Sequence, residues 1–464
     1  MKNVHVSSPS LKLDTKEAAD AAVDAAGGKD DDETDDHKES PDQEDSKEDS
    51  NAEEEQEEQV EFPKLDQAHF PNWLQNYYKQ LKFDPHKNID KKLSRQTLQE
   101  SLVLGCNNIA MNQKEMGNFN YQYDFVTKEM DTDDSPVRQA GALWGLTLCF
   151  QSQPTNKLWQ QAVEKGIDFF HSHMEDGPTH GSKMLRYPGF SQSDTGANAL
   201  FGLSIIDYLR TTRDNEVEVN LDKIDEYHIL LASTIKFLKS QQLADKHFAQ
   251  SYHMDQKKKA PNSSSYYDGE AMLCLVKAAR YIDGFSILVP LIEETAPIMA
   301  KEYTLDEWRE DHDSDSTKGF YQWSSMFFTE YYQAKWKDYD LYGDYVIVLA
   351  HWIIHTHEIL WKNRNTGYAY EGIISAYQIA KKRGHQEALD DFGYTIDKGL
   401  YELGRWQVGG PLADKNKFLV DHPTEDKLAV GGIMNAVNLS PLRIDTTQHQ
   451  MHAVMMAMDF VYKE

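Results

Sequence analysis

The sequence predicts an all-α protein in which six helical hairpins close into a double ring, an (α/α)6 toroid. Segments with apolar residues at steps of three and four, such as Leu389, Phe392, Ile396 and Leu400, alternate with segments that are apolar or small nearly all round, such as 196–206. The first pattern is typical of a helix with one wet face, and the second of a helix buried on all sides. The alternation stops after six pairs with no capping repeat, which favours a closed ring over an open helical solenoid.

The amphipathic segments are assigned to an outer ring and the apolar segments to an inner ring. Outer helices are predicted near 91–112, 157–176, 221–243, 286–303, 340–361 and 385–404. Inner helices are predicted near 136–152, 195–211, 268–283, 319–335, 368–383 and 446–462.

The connections between these helices are asymmetric. Links from an inner to an outer helix are short, such as 152–156 and 284–285. Links from an outer to an inner helix are long, and they span roughly 113–135, 177–194, 244–267, 304–318 and 405–445. All long links therefore emerge on the face where the inner helices begin, which we call the mouth. Loops on a rigid scaffold commonly carry function, so the sequence predicts the largest pocket at the mouth, with short strands such as 119–123 nearby.

The first 60 residues differ sharply from the rest of the chain. They hold 21 Asp and Glu against 6 Lys, whereas the whole chain of 464 residues has a net charge of −28. Such a segment has too little apolar surface to offset chain entropy, so residues 1–60 are predicted to be a disordered acidic tail and 61–464 the toroid domain. The first residues lack the apolar core of a secretion signal, which favours a cytoplasmic location, and an extracytoplasmic one if the chain is processed.

Composition also excludes several classes of function. The longest apolar stretch, 345–360, is interrupted by three histidines, so no integral membrane segment is expected. The excess of acids argues against nucleic acid as a partner. The cysteines Cys106, Cys149 and Cys274 lie among apolar neighbours, where inert core thiols are usual, and we expect neither disulfides nor a zinc site from them. The pairs His171/His173 and His355/His357 have a spacing that separates them on a helix, so no metal is expected there.

Polar residues interrupt the predicted starts of five inner helices. They are Arg138, Asp194, Asp268, Glu270, Glu371, Arg443, Asp445 and His449. Some have structural interpretations: Asp194 and Asp268 as helix N-caps, Glu270 as a partner of the helix dipole, Arg138 as half of an ion pair, and His449 as a core histidine. Asp445 and His449 are one helical turn apart, which favours a functional interpretation of both.

Carboxylates from different hairpins can face one another across a ring, as glycoside hydrolysis requires. We predict Glu371 and Asp445 as a catalytic pair, with Glu270 as the substitute and His449 as a further catalytic group. The residues predicted to bind substrate are polar or aromatic side chains that suit a sugar ring, namely Arg138, Tyr121, Tyr123, Tyr267, Tyr321, Trp323, Tyr370 and Arg443.

The motifs at the inner-helix starts, Arg138-Gln-Ala-Gly, Tyr266-Tyr-Asp-Gly-Glu, Tyr370-Glu-Gly and Arg443-Ile-Asp-Thr-Thr-Gln-His, resemble bacterial six-hairpin glycosidase-like proteins over about residues 90–462. That group includes glycoside hydrolases, polysaccharide lyases, sugar epimerases and unsaturated-glucuronyl hydrolases. The resemblance implies a cofactor-free enzyme that acts on a polyhydroxylated or uronic-acid-containing glycan, most simply a hydrolase and alternatively an epimerase or lyase. The motifs match no characterised family position by position, so no catalytic role is transferred, and fold alone does not fix function.

Two alternatives use the same ring. One is a toroid that binds a glycan or peptide without catalysis. The other is a terpene-cyclase-like enzyme, because Asp131-Thr132-Asp133-Asp134 has the Asp-x-Asp-Asp pattern of proton-initiated cyclases. Against it, the chain shows no apolar helix through which a lipid substrate would enter.

Overall fold

The computed structural model describes residues 70–81 and 91–463, so the predicted disorder of residues 1–60 lies outside the described residues. In chain order the α-helices are α1 (Asn72–Gln80), α2 (Arg95–Met111), α3 (Pro136–Ser152), α4 (Lys157–Ser172), α5 (Thr195–Asp214), α6 (Leu221–Gln241), α7 (Ser265–Tyr281), α8 (Val289–Met299), α9 (Glu307–Glu310), α10 (Asp315–Ala334), α11 (Tyr339–His355), α12 (Gly367–Arg383), α13 (Gln386–Gly404), α14 (Lys417–Asp421) and α15 (Ile444–Phe460). The strands are β1 (Gln122–Asp124), β2 (Glu129–Met130), β3 (Met174–Asp176), β4 (Lys183–Leu185), β5 (Gln192–Asp194), β6 (Ser251–His253), β7 (Lys258–Lys259) and β8 (Pro441–Arg443).

The inner helices form a closed ring, which confirms the toroid. They are α3, α5, α7, α10, α12 and α15; each packs against the next, and α15 returns to pack against α3. The open solenoid is thereby excluded. The outer helices α2, α4, α6, α8, α11 and α13 lie around them, and each packs mainly on its neighbours in the inner ring.

Local sequence explains where the helices begin and end. At α3 the Ser135 side chain accepts a hydrogen bond from the Arg138 backbone N–H, and Pro136 occupies the first turn. Gly384 ends α12 with a φ of +68°, a left-handed conformation that glycine adopts without strain. The run from Pro136 to Phe150 is buried on every side, as its nearly unbroken apolar pattern predicts.

Several helix boundaries differ from the prediction, and three of the differences change how a segment is interpreted. Helix α7 begins at Ser265 and α10 at Asp315, each several residues earlier than expected. Asp268 therefore lies inside the first turn of α7 and is not its N-cap; its carboxylate instead accepts hydrogen bonds from the Phe248 N–H and His247 Nδ1, both at 2.7 Å. The fourth outer helix continues beyond Met299 into a π-helical turn at Ala300–Asp306, so the chain there is helical and not a loop.

Short antiparallel sheets tie the long links together at the mouth. Strand β1 pairs with both β2 and β8, and the register aligns Gln122 with Arg443. Strand β5 pairs with β6, which pairs in turn with β7. The β1–β8 pairing joins the first long link to the last, so the loops close in the same order as the helices.

The expectation that all three cysteines are free thiols is wrong. Cys106 of α2 and Cys149 of α3 form a disulfide with their Cα atoms 5.8 Å apart, whereas Cys274 is free and buried. The two partners occupy facing positions in one hairpin, a relation that depends on helix packing and not on spacing in the sequence. Among the described residues, no helix has the length and apolar character needed to cross a membrane.

Candidate active site

The predicted site residues gather at the mouth, but most of them are buried. Glu371 is 0% exposed, Glu270 2% and Asp445 6%. His449 keeps more exposure, with 19% of its side chain accessible. The inner-helix starts therefore fill much of the mouth with paired polar groups, and substrate access is restricted to the side chains at its edge.

Glu371 and His449 form a carboxylate–imidazole pair across α12 and α15. Glu371 Oε1 lies 3.0 Å from His449 Nδ1, and Oε2 accepts a hydrogen bond of 2.6 Å from Gln322 Nε2. His452 Nδ1 lies 3.5 Å from the same Oε2. Burial raises the pKa of Glu371, but the imidazoles of His452 and His449 outweigh burial and lower the pKa to about 2. The ionised carboxylate orients His449, and a hydrogen on Nδ1 leaves Nε2 as the acceptor of the ring.

Asp445 is held between two arginines. Its Oδ1 lies 2.6 Å from Arg443 Nε, and its Oδ2 lies 3.1 Å from Arg138 Nε. Burial raises the pKa of Asp445, but Arg443 and Arg138 outweigh it and lower the pKa to about 2. Arg138 also donates to the Tyr121 hydroxyl. The ionised carboxylate of Asp445 thus holds the side chains of Arg138 and Arg443 in place.

Asp194 and Glu270 have the opposite electrostatic character. Burial raises the pKa of Asp194 to about 7, although its hydrogen bond from Gln192 Nε2 at 2.9 Å partly opposes the shift. Burial, reinforced by the charge of Asp194, raises the pKa of Glu270 well above its usual value. Oε2 of Glu270 has no hydrogen-bond partner among residues 70–81 and 91–463. A Cβ at Gly196 would lie 2.2 Å from that oxygen, so glycine is needed for the carboxyl to fit. These two carboxyl groups favour the protonated state.

Asp194 occupies the N-cap position of α5, as one interpretation of the sequence predicted, but its side chain makes no capping hydrogen bond. It is the last residue of β5 and is half-buried.

Aromatic side chains connect these polar groups. The centroids of the Trp323 and His449 rings are 6.1 Å apart. Trp323 also packs closely on Gly269 of α7, where an added Cβ atom would lie only 2.5 Å from the Cβ of Trp323. Tyr267 is buried close to Asp194, Glu270 and Arg138, whose charges all act on its hydroxyl. Trp323 therefore joins the histidine side of the mouth to the carboxyl side.

Three predicted binding residues serve the scaffold instead. Tyr321 donates a 2.8 Å hydrogen bond to the Ala369 carbonyl oxygen. Tyr370 points at the outer helix α13, where a Cβ at Gly399 would collide with its hydroxyl. Tyr123 donates to the Asp426 carboxylate.

An internal cavity of about 400 Å³ lies toward the opposite end of the ring. Its walls come from the middle and C-terminal parts of the inner helices and include Trp144, Lys277, Glu330 and His452. None of the predicted catalytic or binding residues lines it. A larger space of about 560 Å³ lies along the second long link, with His173, Glu175, Arg186 and Tyr187 among its lining residues, and none of the predicted site residues lines it either.

The Asp131–Asp134 motif acts within its loop. Asp134 Oδ1 accepts hydrogen bonds from Gln139 Nε2 and the Ser135 N–H, both at 2.8 Å, and Oδ2 accepts from the Tyr187 hydroxyl at 2.9 Å. Asp131 and Asp133 are exposed. Nothing in this arrangement resembles an acid aimed into an apolar cavity.

The sequence interpretation missed two members of the site, Gln322 and His452. The spacing of His449 and His452 contained a signal, since residues three apart on a helix share one face and can contact one carboxylate. Gln322 had no such signal because its role depends on how α10 packs against α12.

The two kinds of carboxyl group predict opposite dependences of stability on pH. Glu371 and Asp445 have lowered pKa values. The stability that their ionised forms add to the fold is therefore complete above about pH 4.5 and is lost as pH falls toward 2. Asp194 and Glu270 have raised pKa values, so the stability that they add to the fold is present below about pH 4, and the part due to Asp194 is lost as pH rises to its pKa of about 7.

We therefore expect the double variant Asp194→Asn/Glu270→Gln to gain melting temperature relative to the wild type as pH rises from 5 to 8. The reason is that the variant no longer has to ionise buried carboxyl groups. Calorimetry across this range measures the difference, and parallel curves for the two proteins would contradict the assignment.

Comparison with known proteins agrees with the architecture. No family model matches the sequence, and no curated protein does. Among solved structures, the chain is similar to a family 76 glycoside hydrolase, an α-mannanase of Bacteroides thetaiotaomicron (TM-score 0.52, 10% identity, covering 81% of this chain and 98% of that one). It is also similar to a sugar epimerase from a ruminal bacterium (TM-score 0.54, 8% identity, 78% and 98% covered).

A third similar structure is an inactive variant of an α-1,6-mannanase of Salegentibacter in complex with α-1,6-mannotetrose (TM-score 0.53, 10% identity, 78% and 98% covered). All three match over nearly their whole length, and the identities are low enough that the likeness concerns the fold. The chain therefore shares its (α/α)6 toroid with six-hairpin proteins that act on sugars.

Proposed function

We propose that the chain is a carbohydrate-active enzyme that works by acid–base catalysis at the mouth, with glycoside hydrolysis as the first candidate reaction. The observation that carries this proposal is the presence at the mouth of two buried carboxyl groups at the starts of α5 and α7, and of two others at the starts of α12 and α15, whose pKa values are shifted in opposite directions. Asp194 and Glu270 favour the protonated form, whereas Glu371 and Asp445 are ionised. Separate protonation states are what a pair of catalytic groups needs at neutral pH.

The roles follow from exposure. Asp194 is the general acid, because its pKa of about 7 supplies a proton near neutrality and the residue is only half-buried. The ionised Glu371 is too deeply buried to touch a sugar, so it acts as a positioning residue for His449. His449 then activates the water that attacks the sugar, and Asp194 protonates the leaving oxygen.

The substrate class follows from the lining. Trp323 and Tyr267 are buried, at 3% and 5% exposure, so the charged side chains at the edge are the better guide to the substrate. Arg138 and Arg443 meet at the carboxylate of Asp445, so these three side chains together carry one positive charge. That charge suits a glycan that contains a uronic acid, and neutral α-1,6-linked mannose oligosaccharides are the alternative that the similar structures suggest.

Sugar epimerisation or isomerisation is a second candidate, favoured by the His449–Glu371 pair. A histidine oriented by a buried carboxylate can remove a proton from carbon as well as from water. The similar fold of the sugar epimerase also supports this second candidate reaction.

The experiment is NMR of product formation in D2O, with uronic-acid-containing oligosaccharides, α-1,6-linked mannose oligosaccharides and free aldoses as substrates. Hydrolysis produces new reducing ends without deuterium on carbon, whereas epimerisation places deuterium at the carbon that exchanges its proton. We expect Asp194→Asn to lower the rate on the order of 10²–10⁴-fold. The control is Asp214→Asn, an exposed aspartate on α5 that pairs with Arg210 and Arg213. Binding of a glycan without turnover would favour the non-catalytic toroid instead.

The Cys106–Cys149 disulfide supports an extracytoplasmic location for the mature chain. Such bonds persist in oxidising compartments and are rare in a reducing cytosol. We therefore favour the processed form among the two locations that the sequence left open.

A further inference from the structure

We propose that His351, His355 and Asp391 bind a zinc ion between the outer helices α11 and α13. The proposal concerns a site apart from the mouth and does not depend on the reaction assigned there. It rests on three side chains whose donor atoms converge, on their burial, and on the spacing of the two histidines.

The spacing brings the imidazoles together. His351 and His355 are four residues apart on α11, so they share one face of the helix, and their rings are stacked with centroids 5.8 Å apart. This pair differs from His355/His357, whose spacing of two residues separates the side chains on a helix. His357 faces elsewhere and bonds to the Asp313 carboxylate at 2.6 Å.

The third donor comes from the neighbouring outer helix. Asp391 Oδ2, on α13, lies 2.8 Å from His355 Nε2 and 3.7 Å from His351 Nδ1. One donor atom from each of the three residues lies within 4.8 Å of the other two. Among the described residues, these three are the set of His, Cys, Asp or Glu side chains whose donor atoms come this close together. Donors of a tetrahedral zinc site with bonds of about 2.0–2.1 Å lie roughly 3.3 Å apart, so small side-chain rotations suffice to admit the ion.

Burial and donor type favour zinc over calcium or magnesium. Two imidazoles and one carboxylate are common zinc ligands, whereas calcium and magnesium prefer oxygen alone. The side chains of His351 and Asp391 are 1% and 4% exposed, and His355 is 20% exposed. The open side at His355 gives the ion a path of entry and leaves room for water as the fourth ligand.

The surroundings indicate a structural role. The His351 ring contacts the Phe392 ring at 4.9 Å and the Tyr78 ring of α1 at 5.6 Å. A zinc ion here would tie α11 to α13 and would fix the ring against which α1 packs. We therefore expect zinc to stabilise the fold.

The test uses the untagged full-length chain, stripped of metal with a chelator, dialysed, and then supplied with zinc chloride. Elemental analysis is expected to find about one zinc ion per chain, and zinc is expected to raise the melting temperature by about 2 °C or more. Cobalt(II) added to the stripped chain is expected to give the visible absorption of a tetrahedral site.

The variant is His355→Gln, which changes the most exposed ligand, and its control is His357→Gln on the same helix end. His355→Gln is expected to bind zinc more than about tenfold more weakly, because even the loss of an outer-shell partner costs about 10–100-fold. Zinc at background level in the wild type, or equal binding by His355→Gln, would overturn the proposal. If His355→Gln fails to fold, the cobalt spectrum and zinc stoichiometry of the wild type decide the question by themselves.

Discussion

Substituting alanine for His449 is expected to lower turnover by about 10²–10⁴-fold on whichever glycan the enzyme accepts, and to lower the melting temperature as well, because the buried carboxylate of Glu371 loses one of its partners. His449 is the partly exposed member of its pair with Glu371, so its removal takes away the base without opening the core. Steady-state kinetics and calorimetry on the same preparations measure the two effects separately.

The matched control is His171→Ala, which removes a histidine from the outer helix α4, where it pairs with Glu226 on the surface. This control is expected to keep wild-type turnover. Glu371→Gln is expected to reduce turnover as well, because a neutral amide no longer holds the imidazole as the carboxylate does. If His449→Ala retains more than about a tenth of wild-type turnover, His449 is not the base that the proposal requires.

Asp445→Asn is expected to destabilise the fold by about 3–5 kcal/mol, the usual cost of breaking a buried ion pair from one side. The variant leaves the Arg138 and Arg443 guanidinium groups near one another without the carboxylate that separates them. Chemical denaturation monitored by tryptophan fluorescence gives the free energy of unfolding.

Asp214→Asn provides the comparison, because Asp214 is also paired with two arginines, but its side chain is 46% exposed. Exposed pairs contribute only about 0–1 kcal/mol, so this variant is expected to unfold almost as the wild type does. If the two variants lose equal free energy of unfolding, Asp445 does not form buried ion pairs with Arg138 and Arg443.

The architecture was predictable because it depends on periodicity. The apolar run of α3 has no polar face, so any fold must bury it, and the observed bounds Pro136–Ser152 coincide with the predicted helix. The short helix α1 carries no such pattern and was not predicted, and the predicted helix 286–303 stops within the π-helical turn at Ala300–Asp306.

The candidate site was predictable in membership but less so in geometry. Two pairs of predicted residues do form at the mouth, Glu371 with His449 and Arg138 with Asp445. Polar residues at the starts of the inner helices come together there because all of these helices begin on that face. Which of them pair and become buried depends on helix rotation and side-chain direction, which spacing alone does not determine. The same reason explains why the Cys106–Cys149 bond and the cavity at the other end were missed.

The pH dependence of kcat/KM tests the central claim most directly, because it reports the protonation states of the catalytic groups in the free enzyme. We expect a rate that falls as pH rises through about 7, where Asp194 loses its proton, and we expect this fall to disappear from the residual activity of Asp194→Asn. A rate that stays level from pH 6 to 9, or a fall near pH 7 that persists in Asp194→Asn, would contradict the assignment of Asp194 as the general acid.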